Sequence, residues 1–464
     1  MSSSPLYTSA KLETLVSARR FVEGGPVPAY PMNVFLEVSN FCNLRCAMCQ
    51  PFSNLNPQRL SSIRIEERGF MSKETAFKLE SLLPHAFYAQ VFGYGEPTLN
   101  PDFEQFLRLC GTYETLIVFF TNGMRLTPAL CETIVANRVF EITVSFSGSS
   151  KADYEAIYVG GVWETVIEGI RGLAAQKAAA NSLFPIITVN SLGFRHHIAE
   201  LEEFVRVMAD AGVNRIWVKP LIPTATTPHL AHHVSIPRPW VEGHILERAK
   251  SLAASMGVEL LTTPYEATAV ADEAQHAAAV DAVFSNFRSS SEVPYVPVRD
   301  LKNLVIEAED APPITPDADL REGKRGYQGF TPAKDLGAED LYCFEPFYTL
   351  YAGRDGKLKP CCNAKPPTQM GDLLHQSGMD AWQGDEFTTV RRTILEGGYP
   401  NMCRACVRFG NAHPNHHFLD AVYDYRSWFG GVFGQDLPPE WAEGISAIEA
   451  AGSNRDIALR HAGG

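Results

Sequence analysis

The sequence predicts an α/β fold built on a parallel sheet, followed by a smaller α+β domain rich in cysteine. Three observations predict it. Between about residues 33 and 220, short apolar runs alternate with segments of helical period. Repeated β-α units of this kind form a parallel sheet, either open or curled into a barrel. Eight of the ten cysteines fall in two groups far apart in the chain, Cys42, Cys46 and Cys49, then Cys343, Cys361, Cys362, Cys403 and Cys406. Between the two groups lies "APPITPDADLREGKRGYQGFTPAKD", rich in Pro, Gly and charge, the composition of a connection.

The strand candidates are "NVFLEVS" (33–39), "AQVFGY" (89–94), "TLIVFFTNG" (115–123), "FEITVSF" (140–146), "PIITVNS" (185–191) and "RIWVKP" (215–220). Their β-branched and aromatic content suits buried parallel strands. Between them, "SKETAFKLESLL" opens on Ser72 with Glu74 in its first turn, a helix start. "VWETVIEGIRGLAAQ" puts Val162, Val166, Ile170 and Leu173 at helical spacing. "HIAELEEFVRVMADAG" ends on Gly212, a residue suited to a helix C-terminus. Residues 231–340 break the rhythm and read as an insertion or linker. Cys110 and Cys131 lie in helix-like segments and read as small core residues.

A net charge of -13 argues against broad binding to nucleic acid or to an anionic membrane surface. No apolar run reaches the length of a membrane span, and the N-terminus lacks the apolar core of a secretory signal. A cytoplasmic setting follows. Thiols stay reduced there, so the clustered cysteines point to metal ligation or redox chemistry rather than disulfides.

The loop "SNFCNLRCAMCQP" spaces three cysteines C-x3-C-x2-C, three residues after the first strand. Active residues in parallel α/β folds collect at such strand ends. A [4Fe–4S] cluster has four irons, so three thiolates leave one open to bind a small molecule. The bland alternative is a zinc knuckle completed by a distant His.

"CNLRCAMC" after a first strand resembles the signature of the radical S-adenosylmethionine (radical SAM) superfamily, with Met48 where many members carry an aromatic residue. The resemblance covers about residues 33–220. It implies a partial (βα)6 barrel in which the open iron chelates SAM. Reductive cleavage then yields a 5'-deoxyadenosyl radical that removes hydrogen from a substrate, with flavodoxin or ferredoxin as reductant. "FGYGEPTLNP" resembles the family's Gly-Gly-Glu-Pro turn, with Tyr94 in place of the first glycine. This assigns Gly95, Glu96 and Pro97 to the SAM amino group, a carboxylate facing an ammonium. Gly95 reads as a backbone position approached closely by the ligand. For Glu96 the alternative is a turn residue in a solvated loop. "VSFSGSS" resembles the fourth-strand segment that places Ser145 near SAM. In "NSLGFRHHIAEL", Asn190 and His197 are both candidates.

In the second group, "FYTLYAGRDGKLKPCC" reads as a hairpin turning at Asp355-Gly356. It would bring Cys343 and Cys361 together, with Cys403 and Cys406 closing a four-thiolate site for a zinc ion or a cluster. The order Cys…Gly-x4-Cys…Gly-Asp…Trp…Cys-x2-Cys is similar to the SPASM or twitch extension of radical SAM enzymes. That likeness implies a second, auxiliary [4Fe–4S] cluster on Cys343, Cys361, Cys403 and Cys406, with Gly371, Asp372 and Trp382 structural. Cys362 is left over as an alternate ligand, a structural thiol or a hydrogen-atom donor in an epimerisation.

The expected organisation is an N-terminal extension (1–32), a core (33–230), the insertion (231–340), the auxiliary-cluster domain (341–412) and a tail (413–464). The expected substrate is a small molecule, such as a sugar, aminocyclitol or natural-product intermediate, oxidised or remodelled with the auxiliary cluster. About 32 residues before the first strand are too few for a separate peptide-recognition domain, which favours that expectation. The alternatives are a peptide substrate that is crosslinked, bridged by a thioether or epimerised, and a zinc-bound structural module.

Overall fold

Six parallel strands lie side by side in chain order: β1 (Asn33–Leu36), β2 (Tyr88–Val91), β3 (Leu116–Thr121), β4 (Glu141–Ser145), β5 (Ile186–Gly193) and β6 (Arg215–Pro220). Each falls on a run expected from the sequence. The computed structural model describes residues 8–22, 25–56, 68–221, 228–233, 239–262, 296–303, 305, 345–361, 364 and 370–395. Within these, β7 (Glu259–Leu261) extends the sheet beyond β6. On the other side, β8 (Thr349–Ala352) pairs parallel with β1, and β9 (Leu358–Lys359) pairs antiparallel with β8. The order is β7-β6-β5-β4-β3-β2-β1-β8-β9.

The sheet has two unlike faces, because alternate residues of a strand point to opposite sides. The register row Leu36, Val91, Phe119, Ile142 and Ile187 is apolar and buried throughout. Helices cover this side, as where Phe103 of the helix Phe103–Thr112 meets Phe119 edge-on at 5.1 Å. Cys110 and Cys131 are buried among the same core residues. The other face carries Phe35, Gln90, Phe92, Phe120, Thr143, Ser145, Asn190, Trp217 and Lys219. Its aromatic members touch: Phe35 lies 4.4 Å from both Phe92 and Tyr351, and Phe92 lies 4.8 Å from Phe120.

Local signals behave as the sequence suggests, with three differences. Ser72 caps the helix Lys73–Phe77, its hydroxyl accepting from the Thr75 N–H at 3.2 Å. That helix is short, and a separate 3-10 turn at Glu80–Leu82 completes the segment. The helix Trp163–Ala179 buries Val166, Ile170 and Leu173, but Val162 stands before its first turn and is exposed. The third helical segment is two helices, Arg195–Ala199 and Leu201–Asp210, and the chain turns at Gly212 with φ +84°.

The stretch read as an insertion is in part a continuation of the core. Helix Pro239–Ser255 and strand β7 add one more helix-strand step to the sheet. Three residues of "ELL" are too short to register as a strand by pattern. The hairpin 349–359 forms, with Gly356 at φ +81° in its turn, yet β8 belongs to the main sheet rather than to a sheet of its own. No helix among the described residues is long and apolar enough to cross a membrane.

Asn100 fastens the start of the site to this frame. Its buried side-chain amide donates to the Val38 and Met71 carbonyls, each at 2.8 Å, and its oxygen accepts from the Asp102 N–H at 2.8 Å. Asn100→Ala strands two buried carbonyls and is expected to cost roughly 1–3 kcal/mol. Urea unfolding of the anaerobically purified protein measures this.

Candidate functional site

Beyond β1 the chain runs through Ser39 into the cysteine loop, which helix Lys151–Ile157 and the turn after it brace. The Ala47 N–H donates to the Ile157 carbonyl at 2.8 Å, and the Arg45 N–H donates to Val159 at 2.9 Å. Within the loop, the Cys49 N–H donates to the Cys46 carbonyl at 3.0 Å, and the Ser53 hydroxyl donates to the Ala47 carbonyl at 2.7 Å. The Cys42 sulfur accepts weakly from the Leu44 N–H at 3.5 Å and from the Asn122 amide at 3.9 Å.

All three thiols sit together, half-buried. Burial pushes Cys42 up to about 11 and Cys49 up to about 12. Cys46 is pushed well above its ordinary value by burial and then by its neighbours Cys49 and Cys42. Without a cationic centre, such thiols stay protonated; a metal-bound centre reverses that balance. Cys42 and Cys49 are close enough to Cys46 to act on its charge, and neighbouring thiolates are the usual ligands of iron–sulfur clusters. The donor set therefore fits the group that the motif implies.

Glu96 is the most heavily engaged polar side chain of the site and is 3% exposed. Its Oε1 accepts from the Thr98 hydroxyl at 2.6 Å, the Thr121 hydroxyl at 2.6 Å and the Thr98 N–H at 3.2 Å. Its Oε2 accepts from the Asn122 N–H at 2.7 Å. Burial raises its pKa, and these four bonds oppose the rise. The solvated-turn alternative is excluded. Oε2, with one donor, keeps an open acceptor position.

Gly95 is required by the packing of the protein itself. A Cβ there would sit 2.4 Å from the Phe41 carbonyl oxygen and 2.8 Å from that of Ser39. The Gly95 N–H donates to Ser39 at 3.1 Å and the Glu96 N–H to Phe41 at 2.8 Å. This stitches the β2 turn to the strand leading into the cysteines. Pro97 is buried at the start of the 3-10 turn Pro97–Leu99, which Glu96 caps.

Ser145 and Asn190 are register partners at the ends of β4 and β5. The Asn190 Oδ1 is buried and has no hydrogen-bond partner. His197 lies elsewhere, fully buried against the loop after β4. Its Nε2 is 2.6 Å from the Ser191 hydroxyl, and its Nδ1 accepts from the Gly148 N–H at 3.3 Å. Both His197 ring nitrogens are used within the protein, whereas the Asn190 Oδ1 is not.

Of the second cysteine group, Cys361 is described and stands two residues past β9, half-buried. Cys343, Cys362, Cys403 and Cys406 lie outside the described residues. Gly371 adopts φ +132° and its carbonyl accepts from the Leu358 N–H at 3.0 Å, so this segment pairs alongside β9. Trp382 is fully buried beneath Arg391, whose guanidinium carbon is 3.9 Å from the ring centroid. Gly371, Asp372 and Trp382 thus have the structural character expected of them.

The sequence reading passed over Asn122. "TNG" marked the end of a strand, but the fold turns Asn122 into the link between Glu96, through its backbone, and Cys42 and Asn43, through its side chain. It also passed over Trp217 and Lys219, whose alternation within "RIWVKP" was the one available signal.

Comparison with known proteins agrees with this layout. Residues 36–178 match the model of the radical SAM superfamily, and residues 343–407 match SPASM, an iron–sulfur cluster-binding domain. Over 183 residues the chain is 27% identical to the mycofactocin maturase MftC of Mycobacterium tuberculosis, covering 39% of this chain and 43% of that protein. It is 27% identical over 183 residues to the GTP 3',8-cyclase of Listeria monocytogenes, covering 39% of this chain and 51% of that protein. The chain thus spans about half the length of the curated relatives it matches. Among solved structures, Streptococcus suis SuiB bound to S-adenosylmethionine aligns over 80% of this chain and 70% of its own, with 12% identity and a TM-score of 0.49.

Glu96→Gln turns one acceptor into a donor that faces donors. It is expected to cost roughly 1–3 kcal/mol, and Thr98→Val about 1 kcal/mol, measured by urea unfolding. A solvated turn residue would show less than about 0.5 kcal/mol for both. His197, held neutral with its pKa lowered to about 3 by burial, makes a second prediction. The unfolded chain binds a proton below about pH 6.5 that the folded one refuses, so stability falls as pH drops from 6.5 towards 3. His197→Asn is expected to flatten that acid limb in unfolding curves taken between pH 7 and 4.

Proposed function

Because the chain is a radical SAM enzyme with a SPASM-type iron–sulfur domain, we propose that it uses S-adenosylmethionine and two [4Fe–4S] clusters to modify a peptide substrate oxidatively. Cys42, Cys46 and Cys49 hold the first cluster in this reading. Cys343, Cys361, Cys403 and Cys406 hold the auxiliary one. With SAM bound, the first cluster supplies a 5'-deoxyadenosyl radical able to remove hydrogen from the substrate.

What this chain adds is position. The Gly95–Pro97 turn, locked to Ser39 and Phe41, presents its backbone beside the cysteine loop. Glu96 fixes the shape of that turn. Ser145 and the unpartnered Asn190 oxygen face the same end of the sheet and are offered to SAM. A flavodoxin or ferredoxin serves as electron donor, in a reducing cytoplasm. The domain limits set out from the sequence are kept as part of this reading, with residues 239–262 and the hairpin 349–359 assigned to the core sheet.

The peptide reading replaces the small-molecule one expected from the sequence. It is supported by the likeness of the core to mycofactocin maturases. Cys362 retains its candidacy as a hydrogen donor within this reading.

Two measurements test the proposal. Anaerobically reconstituted protein is expected to hold about eight irons, falling to about four in the Cys42/Cys46/Cys49→Ala variant. Zinc in place of the remaining four would remove the auxiliary cluster. The substrate class is tested by co-expression with short reading frames that neighbour the gene. A peptide mass change lost in Cys42→Ala supports the reading, and unchanged peptides throughout refute it.

A further inference from the structure

We propose that Lys219 and Trp217, on the polar face of β6, form a subsite that recognises a carboxylate of the substrate. The proposal rests on the peptide reading above and names a chemical group that the peptide must carry.

Three polar groups lie on one face at the ends of β5 and β6, and two of them, the Asn190 Oδ1 and the Trp217 Nε1–H, are buried without a partner. Lys219 extends over its own strand neighbour, its Nζ 3.7 Å from the Trp217 ring centroid and 5.9 Å from that of Phe120 across the sheet. Burial lowers its pKa, and Glu141 opposes the shift. Glu141 is not free to pair with it, since it is engaged by Arg215 at 3.4 Å and by the Thr188 hydroxyl at 2.5 Å. Among the described residues, no carboxylate forms a salt bridge with Lys219. The Trp217 Nε1–H is buried with no acceptor. Asn190, its register partner on β5, holds the unpartnered Oδ1.

Lys219 is half-buried and pairs with no described carboxylate, so an anion seated here would complete the ammonium and the buried indole N–H together. Here the donors are one ammonium and one indole N–H, which matches a single negative charge. A phosphate dianion would call for a second cation or a guanidinium fork. An amino-acid unit supplies such a carboxylate. The carboxylate can come from a chain end or from an acidic side chain.

The test is calorimetric titration of the anaerobic holoenzyme with SAM present. The probes are N-acetylglycine, its neutral amide, and N-acetylglutamate α-amide, which carries its carboxylate on the side chain. The acid is expected to bind about tenfold more tightly than N-acetylglycinamide, a preference that Lys219→Met abolishes and Lys219→Arg largely keeps. A stronger response to N-acetylglycine assigns the subsite to a chain end, and a stronger response to N-acetylglutamate α-amide assigns it to a side chain. No preference for an acid over the amide overturns the subsite, as does a Lys219→Met variant that loses SAM affinity in parallel, because the lysine would then serve the cofactor. A preference for acids together with no modified peptide in co-expression would retain the subsite and reject the peptide reading.

Discussion

The buried carboxylate of Glu96 is the constraint on which the site depends. It gathers donors from the turn after β2 and from the end of β3, and through Asn122 it reaches the Cys42 sulfur. Burying a carboxylate is costly unless hydrogen bonds to its charge replace the lost water, and Glu96 has four. Their donors come from two separate strand ends, so the carboxylate holds those ends in fixed relation and makes a rigid reference for the cysteine loop. The Gly95 backbone supplies the second tie, because a side chain there would collide with Phe41 and open the seam.

The two faces of the sheet divide the work. The covered face is apolar along the row from Leu36 to Ile187, so helix packing fixes the strands there, and Thr121 at the end of β3 is the polar member that reaches Glu96. The opposite face is free to carry aromatic and polar groups. Their unmet hydrogen bonds on Asn190 and Trp217 are tolerable only because the rest of the fold does not depend on them.

Much of this was legible in the sequence. The six strands could be read because buried parallel strands are continuous β-branched and aromatic runs, and the three cysteines because their spacing is tight and local. What escaped depends on contacts distant in sequence. Nothing in "GYGEP" says that the carboxylate faces Thr121, 25 residues on. Nor does it say that a Cβ at the glycine would meet the backbone of Ser39 and Phe41, in the segment after β1. β7 is too short to carry a period. β8 was recognised as half of a hairpin, but its partner β1 lies 316 residues earlier at the Asn33–Thr349 contact, beyond any local pattern.

That last pairing has a mechanical consequence. β8 lies directly beside β1, with the Glu37 N–H donating to the Ala352 carbonyl at 2.9 Å. Glu37, buried and held up in pKa chiefly by that burial, also accepts from the Tyr94 N–H at 3.4 Å, next to the Gly95 turn. One strand edge thus carries the approach to Cys42 on one side and the hairpin leading to Cys361 on the other. A shared sheet ties Cys361 to the strand that leads into Cys42, with neighbouring strands about 4.8 Å apart. The hairpin that leads to Cys361 is therefore part of the scaffold that presents the first cysteine loop, and a change at the β1–β8 seam acts on both Cys42 and Cys361.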